Sequence, residues 1–315
     1  MPYRFKLSEP FEAGVRRIGL RQIDRATAQL QSANDQGGAI HETRKALKRV
    51  RALLRLARPG LGEDVYGSEN ARYRTIGQSL SAARDAQVLL ETVTAFESKA
   101  LGRTKSAFAA VKLQLSGEPQ LAANPCPTAA VELALHQLAE GRGRLEELVL
   151  PEPGFEIAWD GMARAYRQAI RAFENAYKTH DCEDLHTWRK RVQTHWRHMA
   201  LLREAWPEML DARITTAKQL STLLGEDHDI AVMQAAIETG NAHLLPVGAK
   251  ALKPKPRLSA HQHKLTQAVA VARQQHLRQQ CRTLGQRLFA ESPSAFRDRM
   301  ATYWAAAADL RVEPS

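Results

Sequence analysis

His41-Glu-Thr-Arg-Lys-Ala-Leu-Lys-Arg-Val-Arg-Ala-Leu-Leu-Arg-Leu-Ala-Arg58 reads as a helix once it is wound at about 100° per residue. His41, Arg44, Lys45, Lys48, Arg51, Arg55 and Arg58 then fall inside one arc of roughly 140°. Val50, Leu53, Leu54 and Ala57 take the opposite arc, which must face a core. Seven Lys and Arg against the single acid Glu42 leave the polar face nearly without internal neutralisation. Stacked like charges three and four residues apart destabilise a helix by a few tenths of a kcal/mol per pair, so an external anion is the expected compensation. The plain alternative is a solvated face, but solvated faces usually mix signs and this one does not.

The pattern recurs 145 residues later as His186-Thr-Trp-Arg189-Lys190. Arg189, Lys190, Arg197 and Arg203 share a face with His186, with Val192, Met199 and Leu202 behind them. No acid occurs from His186 to Arg203. At the same offset Arg58 matches Arg203, and each helix then meets a proline, Pro59 or Pro207. One register on, Arg74 falls opposite Lys218, Arg84-Asp85 opposite His228-Asp229, and Val88 opposite Val232. An internal duplication of this length points to two homologous halves, about 1–150 and 155–315.

The remaining sequence is helix chemistry: Ala, Leu, Arg, Gln and Glu between clustered breakers. Breaks are expected at Gly37-Gly38, Pro59-Gly60, Gly117 to Pro127, Pro151 to Gly154, Pro207 and Pro246 to Pro256. About ten helices fit between them, and no run alternates in the manner of a strand. The expected class is all-α.

Among 315 residues, 45 Lys and Arg face 34 Asp and Glu, a formal net charge of +11. Such a surplus speaks of acidic partners and not of fold: nucleic acid, an anionic membrane surface or a phosphate polymer. No apolar run approaches the roughly 18 residues of a membrane span. The opening MPYRFKLSEPFEAG has no apolar core or cleavage site of a secretory signal. The three cysteines, Cys126, Cys182 and Cys281, form no CxxC pair, which fits a reducing compartment. A cytoplasmic protein is expected. Aromatic content of 6% argues mildly against a single-strand stacking platform, and no Walker-type loop or G-x-S-x-G elbow is present.

Several residues invite a metal reading. His228-Asp229 resembles the dipeptide of HD phosphohydrolases, with His186 or His195 as an upstream ligand. Its repeat counterpart, however, is Arg84-Asp85, and arginine does not ligate metals. His180-Asp-Cys182 has poor zinc spacing. No metal or other cofactor is expected. Asp85 and Asp229 are expected to brace a basic neighbour or a helix start. His41 and His186 open their basic helices and are candidates to cap them or to meet phosphate. The five tryptophans, Trp159, Trp188, Trp196, Trp206 and Trp304, are expected in the core, Trp196 alone being placed to approach a ligand.

The run H-x-x-R-K-x-L-K-R-x-R from His41 to Arg51 resembles the signature helix of the CHAD family. Ala71 to Asp85, His186 to Val192 and Leu224 to Asp229 resemble the family's following helix and its second-half equivalents. The resemblance implies two pseudo-symmetric antiparallel helical bundles with a shared basic central groove or pore. It further implies non-catalytic binding of inorganic polyphosphate, and location at polyphosphate granules. By position His41, Arg44, Lys45, Lys48, Arg51, His186, Arg189 and Lys190 carry over as phosphate ligands. Arg49, Arg55, Arg74, Arg84, Arg197, Lys218 and His228 complete the candidate set. Two departures weaken the second half: Gln193 where many members have Lys, and Arg197 where an aromatic is common. The expected partner is inorganic polyphosphate or another phosphate-rich polyanion, with nucleic acid second and a metal-dependent phosphohydrolase third. No membrane partner is expected, and a homo-oligomer is compatible with the sequence.

Overall fold

The computed structural model describes residues 3–32, 36–80, 82–116, 128–150, 154–239 and 258–310. Within them the chain is all-helical, with no strand. Ten α-helices follow in order: α1 Phe11–Gln31, α2 Gln36–Ser79, α3 Ala82–Lys99, α4 Gly102–Ser116, α5 Thr128–Glu146, α6 Phe155–Thr179, α7 Cys182–Leu201, α8 Pro207–Thr239, α9 Ala260–Leu288 and α10 Pro293–Asp309. A short 3-10 turn, Arg203–Ala205, joins α7 to α8.

Contacts divide the chain into two compact units, 1–80 with 128–222 and 283–315, and 81–127 with 223–282. The units cut across the sequence halves 1–150 and 155–315, since each draws helices from both. In the first unit α2 packs on α1, α5, α6 and α7, and α6 also packs on α7 and α10. Its core includes an aromatic group of Phe5, Phe11, Phe155, Trp159 and Trp304. A second group joins Tyr166, His195, Phe289 and Phe296. Gly161 lets α6 approach α2: a Cβ there would lie 1.9 Å from the Leu56 carbonyl oxygen. In the second unit α3 and α4 pack together. Leu89, Val93, Phe108 and Val111 meet Ile230, Met233, Ala270 and Leu277 in one core.

Several breaks fall elsewhere than the breakers suggest. Gly37 and Gly38 lie inside the start of α2, and the helix runs on through Pro59 and Gly60. The interruption comes at Gly62, whose φ of 74° and ψ of 168° suit a residue without Cβ. Pro207 opens α8, where its missing N–H costs nothing. The segments 117–127 and 246–256 lie outside the described residues, as do 151–153 and Cys126. Trp159, Trp188 and Trp304 are buried, but Trp206 is 45% exposed and stacks edge-on to Tyr303.

Candidate functional site

α7 begins at Cys182 because Asp181 caps it, accepting from the backbone amides of Glu183 and Asp184 at 2.8 and 3.3 Å. His186 therefore sits one turn inside the helix and His41 one turn inside α2, so neither is a cap. Asp229 lies in the interior of α8, away from a helix start. The apolar backs behave as their spacing requires. Val50, Leu53, Leu54 and Ala57 are buried, and so are Val192, Met199 and Leu202.

α2 and α7 pack directly on each other. A buried hydrogen bond of 3.0 Å joins His198 Nε2 to the carbonyl oxygen of Ala52. This register brings the two sets of cations together. Lys48 is flanked by Arg44 and Arg51 of its own helix and by Arg189 and Arg197 of α7. Crowding by protein, and then those four guanidiniums, together lower its pKa to about 8. The side chain is nevertheless exposed to solvent, so its charge is open to an anion. Desolvation likewise lowers Arg51 and Arg197 to about 10, with neighbouring cations acting in the same direction and Tyr3 opposing them at Arg197. Arg55 and Arg191 shift the same way for the same first reason. Guanidinium keeps its proton at neutral pH, so these shifts reflect first the cost of desolvating the charge and second the neighbouring cations.

The partners of these cations set them apart. Arg51 Nε donates to Asn70 Oδ1 at 3.0 Å, and Arg55 Nη1 to the Arg51 carbonyl at 3.3 Å. Arg191 Nη1 donates to Gln168 Oε1 at 2.8 Å, and Arg197 Nη1 to the Gln193 carbonyl at 2.6 Å. The guanidinium of Arg197 also lies 4.2 Å from the centre of the Trp196 ring, and Lys218 Nζ lies 5.2 Å from it. Amide and carbonyl oxygens orient a guanidinium without cancelling its charge. Among the described residues, Lys48, Arg51, Arg55, Arg191 and Arg197 form no ion pair with a carboxylate. Arginines elsewhere are mostly paired: Arg58 with Glu63, Arg203 with Asp211, Arg297 with Asp160, Arg299 with Glu291.

The other expected residues spread outward from this centre. Arg74, beyond the Gly62 interruption, is exposed and bears on Arg51 and Lys190. Lys45 is ion-paired with Glu42 at 2.7 Å, a carboxylate it shares with Arg25 at 2.8 Å. Lys45 therefore leaves the uncompensated set. Arg49 donates to Gln22 Oε1 at 3.3 Å and bears on Arg197. His41 lies near Glu42, and His186 is half-buried on α7. His228 belongs to the second unit, and the Arg84 and Asp85 side chains lie outside the described residues. Arg58 and Arg203, placed on the basic faces by spacing, are held by carboxylates. Arg191 joins the site unannounced: it falls about 140° from His186 on an ideal wheel, yet it lies near Arg55. Its only sequence signal is the unbroken run Arg189-Lys190-Arg191.

A family model of the CHAD domain matches residues 17–238, which contain α2 and α7 whole. The chain belongs to the CHAD family. No curated protein matches it. Among the described residues no three His, Cys, Asp or Glu side chains gather as a metal site would require. No helix among them is long and apolar enough to cross a membrane.

Proposed function

We propose that this CHAD protein binds inorganic polyphosphate along the α2/α7 cluster without chemistry of its own. The observation that carries this reading is a group of four arginines, each oriented by a neutral oxygen, gathered around Lys48. A protein that needed only solubility has no use for like charges gathered this closely without a carboxylate among them. A linear polyanion with one charge per repeat neutralises several of them at once. Arg supplies forked donors for phosphate oxygens and Lys a mobile point charge. Binding of this kind is dominated by charge neutralisation and weakens steeply with salt, as in nucleic-acid complexes. In the cell such a protein would reside with polyphosphate granules.

Competition tests the reading against nucleic acid, the other polyanion the same charges admit. Fluorescent long-chain polyphosphate is displaced by unlabelled polyphosphate but poorly by duplex DNA at equal phosphate concentration. A slender chain follows the narrow strip of cations along the α2/α7 seam more closely than a broad duplex can. Equal displacement by the duplex would transfer the function to nucleic acid. Release of phosphate from the chain with Mg²⁺ or Mn²⁺ would contradict the non-catalytic part.

A further inference from the structure

Outside the α2/α7 cluster, two buried donors of α1 are left without an acceptor, Arg16 Nε and Arg21 Nη1, and only Arg21 lines a hollow. Arg17, Arg21 and Arg25 stand four residues apart on α1 and so form one stripe along its surface. Together with Leu20, Asp24 and Arg142 of α5, they line a hollow in the first unit. Three of these arginines are steadied by carboxylates. Arg17 donates to Glu9 at 2.8 Å, Arg25 to Glu42 at 2.8 Å, and Arg142 to Asp24 at 2.9 Å and Glu146 at 2.5 Å. Glu42 is shared with Lys45. Four carboxylates thus serve four cations, Arg17, Arg25, Lys45 and Arg142, and the fifth is Arg21, whose Nη1 is buried with no hydrogen-bond partner. A buried N–H in that state is satisfied by an oxygen that enters the hollow, whether of a water or of an anion.

The hollow is also electrostatically continuous with the central cluster. Arg25 bears on Arg49, and Arg49 bears on Arg197. Arg25, Arg49 and Arg197 therefore link α1 through α2 to the site proposed above, with Glu42 beside Arg25 and Arg49.

We propose that Arg21 and its hollow form a second oxyanion station, which receives outlying phosphates of a long chain whose middle lies on α2 and α7. This rests on the polyphosphate reading and adds a chain-length preference to it. The Arg44-to-Arg55 run of α2 alone is roughly 16 Å long at the helical rise, longer than three linked phosphates. Tripolyphosphate is therefore accommodated at the centre without reaching Arg21.

Titration of the full chain with long-chain polyphosphate and with tripolyphosphate tests this, in wild type and in Arg21→Gln. The expected result is a loss of about tenfold in long-chain affinity, the order of one charge-assisted contact, with tripolyphosphate affinity unchanged. The unchanged tripolyphosphate binding also shows that the variant is folded. Unaltered long-chain affinity, or an equal loss for both ligands, overturns the station while leaving the central site standing. If wild type binds neither chain, the reading beneath it falls as well.

Discussion

His198 Nε2 and the carbonyl oxygen of Ala52, 3.0 Å apart and buried, hold the two cationic helices together through a neutral imidazole. Burial lowers the His198 pKa from its ordinary value to about 4, against the partial support of that hydrogen bond. His195 is depressed in the same direction by burial and then by Arg213, whose Nε donates to His195 Nε2 at 3.1 Å. Both groups are neutral in the folded state, while the unfolded chain takes up their protons near pH 6.5.

Stability is accordingly full above about pH 6.5 and declines as pH falls toward 4, because the unfolded state binds more protons there. For His198 alone the loss is about 3 kcal/mol across that window. Chemical denaturation between pH 4 and pH 8 measures it. His198→Leu flattens the acid limb and removes about 1 kcal/mol at pH 7.5 for the lost hydrogen bond.

Removing a cluster cation relieves repulsion in the free protein and weakens the anion complex. Arg51→Met should raise the melting temperature of the free protein by about 2 °C, the effect of roughly 1 kcal/mol in a chain of this size. The same variant loses polyphosphate affinity by about tenfold or more. Arg58→Gln, which removes a guanidinium already paired with Glu63, leaves affinity nearly unchanged. Differential scanning fluorimetry with and without polyphosphate reads both quantities.

Lys48 makes binding pH-dependent in a window that arginine cannot produce. Its pKa in the free protein is about 8, and a bound anion favours the charged form and raises that value. Affinity is therefore constant below pH 8 and falls as pH rises above it, with proton uptake on binding in that range. Isothermal titration near pH 9 in two buffers of different ionisation enthalpy detects the uptake. Lys48→Arg abolishes it while keeping the charge.

Gly161→Ala places a methyl group 1.9 Å from the Leu56 carbonyl oxygen, and the atom in the way is backbone. Neither helix yields without moving the α2/α6 contact. A loss of about 3 kcal/mol or more is expected in urea unfolding.

The helical class and the two apolar stripes were legible in the sequence because both follow from 3.6-residue periodicity. Val50, Leu53 and Leu54, and Val192, Met199 and Leu202, are buried as their spacing demands. The breaks at Pro59 and Gly60 were misplaced because a helix can pass through a proline and stop where a glycine adopts positive φ, at Gly62. For the site, spacing places cations on a face but does not tell which of them meet carboxylates. Lys45, Arg58 and Arg203 share the faces of Lys48 and Arg197, yet Glu42, Glu63 and Asp211 pair with them. Glu42 and Glu63 are near in sequence, but whether they pair depends on helix ends and kinks. Arg191 escaped the wheel because a second helix, and not its own, brings it to Arg55.

The most direct test is a titration of wild type and Arg51→Glu/Arg55→Glu with long-chain polyphosphate at about 50 and about 200 mM salt. The account predicts that wild-type affinity falls about a hundredfold or more between them, as several phosphates are neutralised. The double variant binds weakly at both salt concentrations while its helicity is unchanged. Wild-type affinity that is insensitive to salt, or a double variant that binds as tightly as wild type, would contradict it.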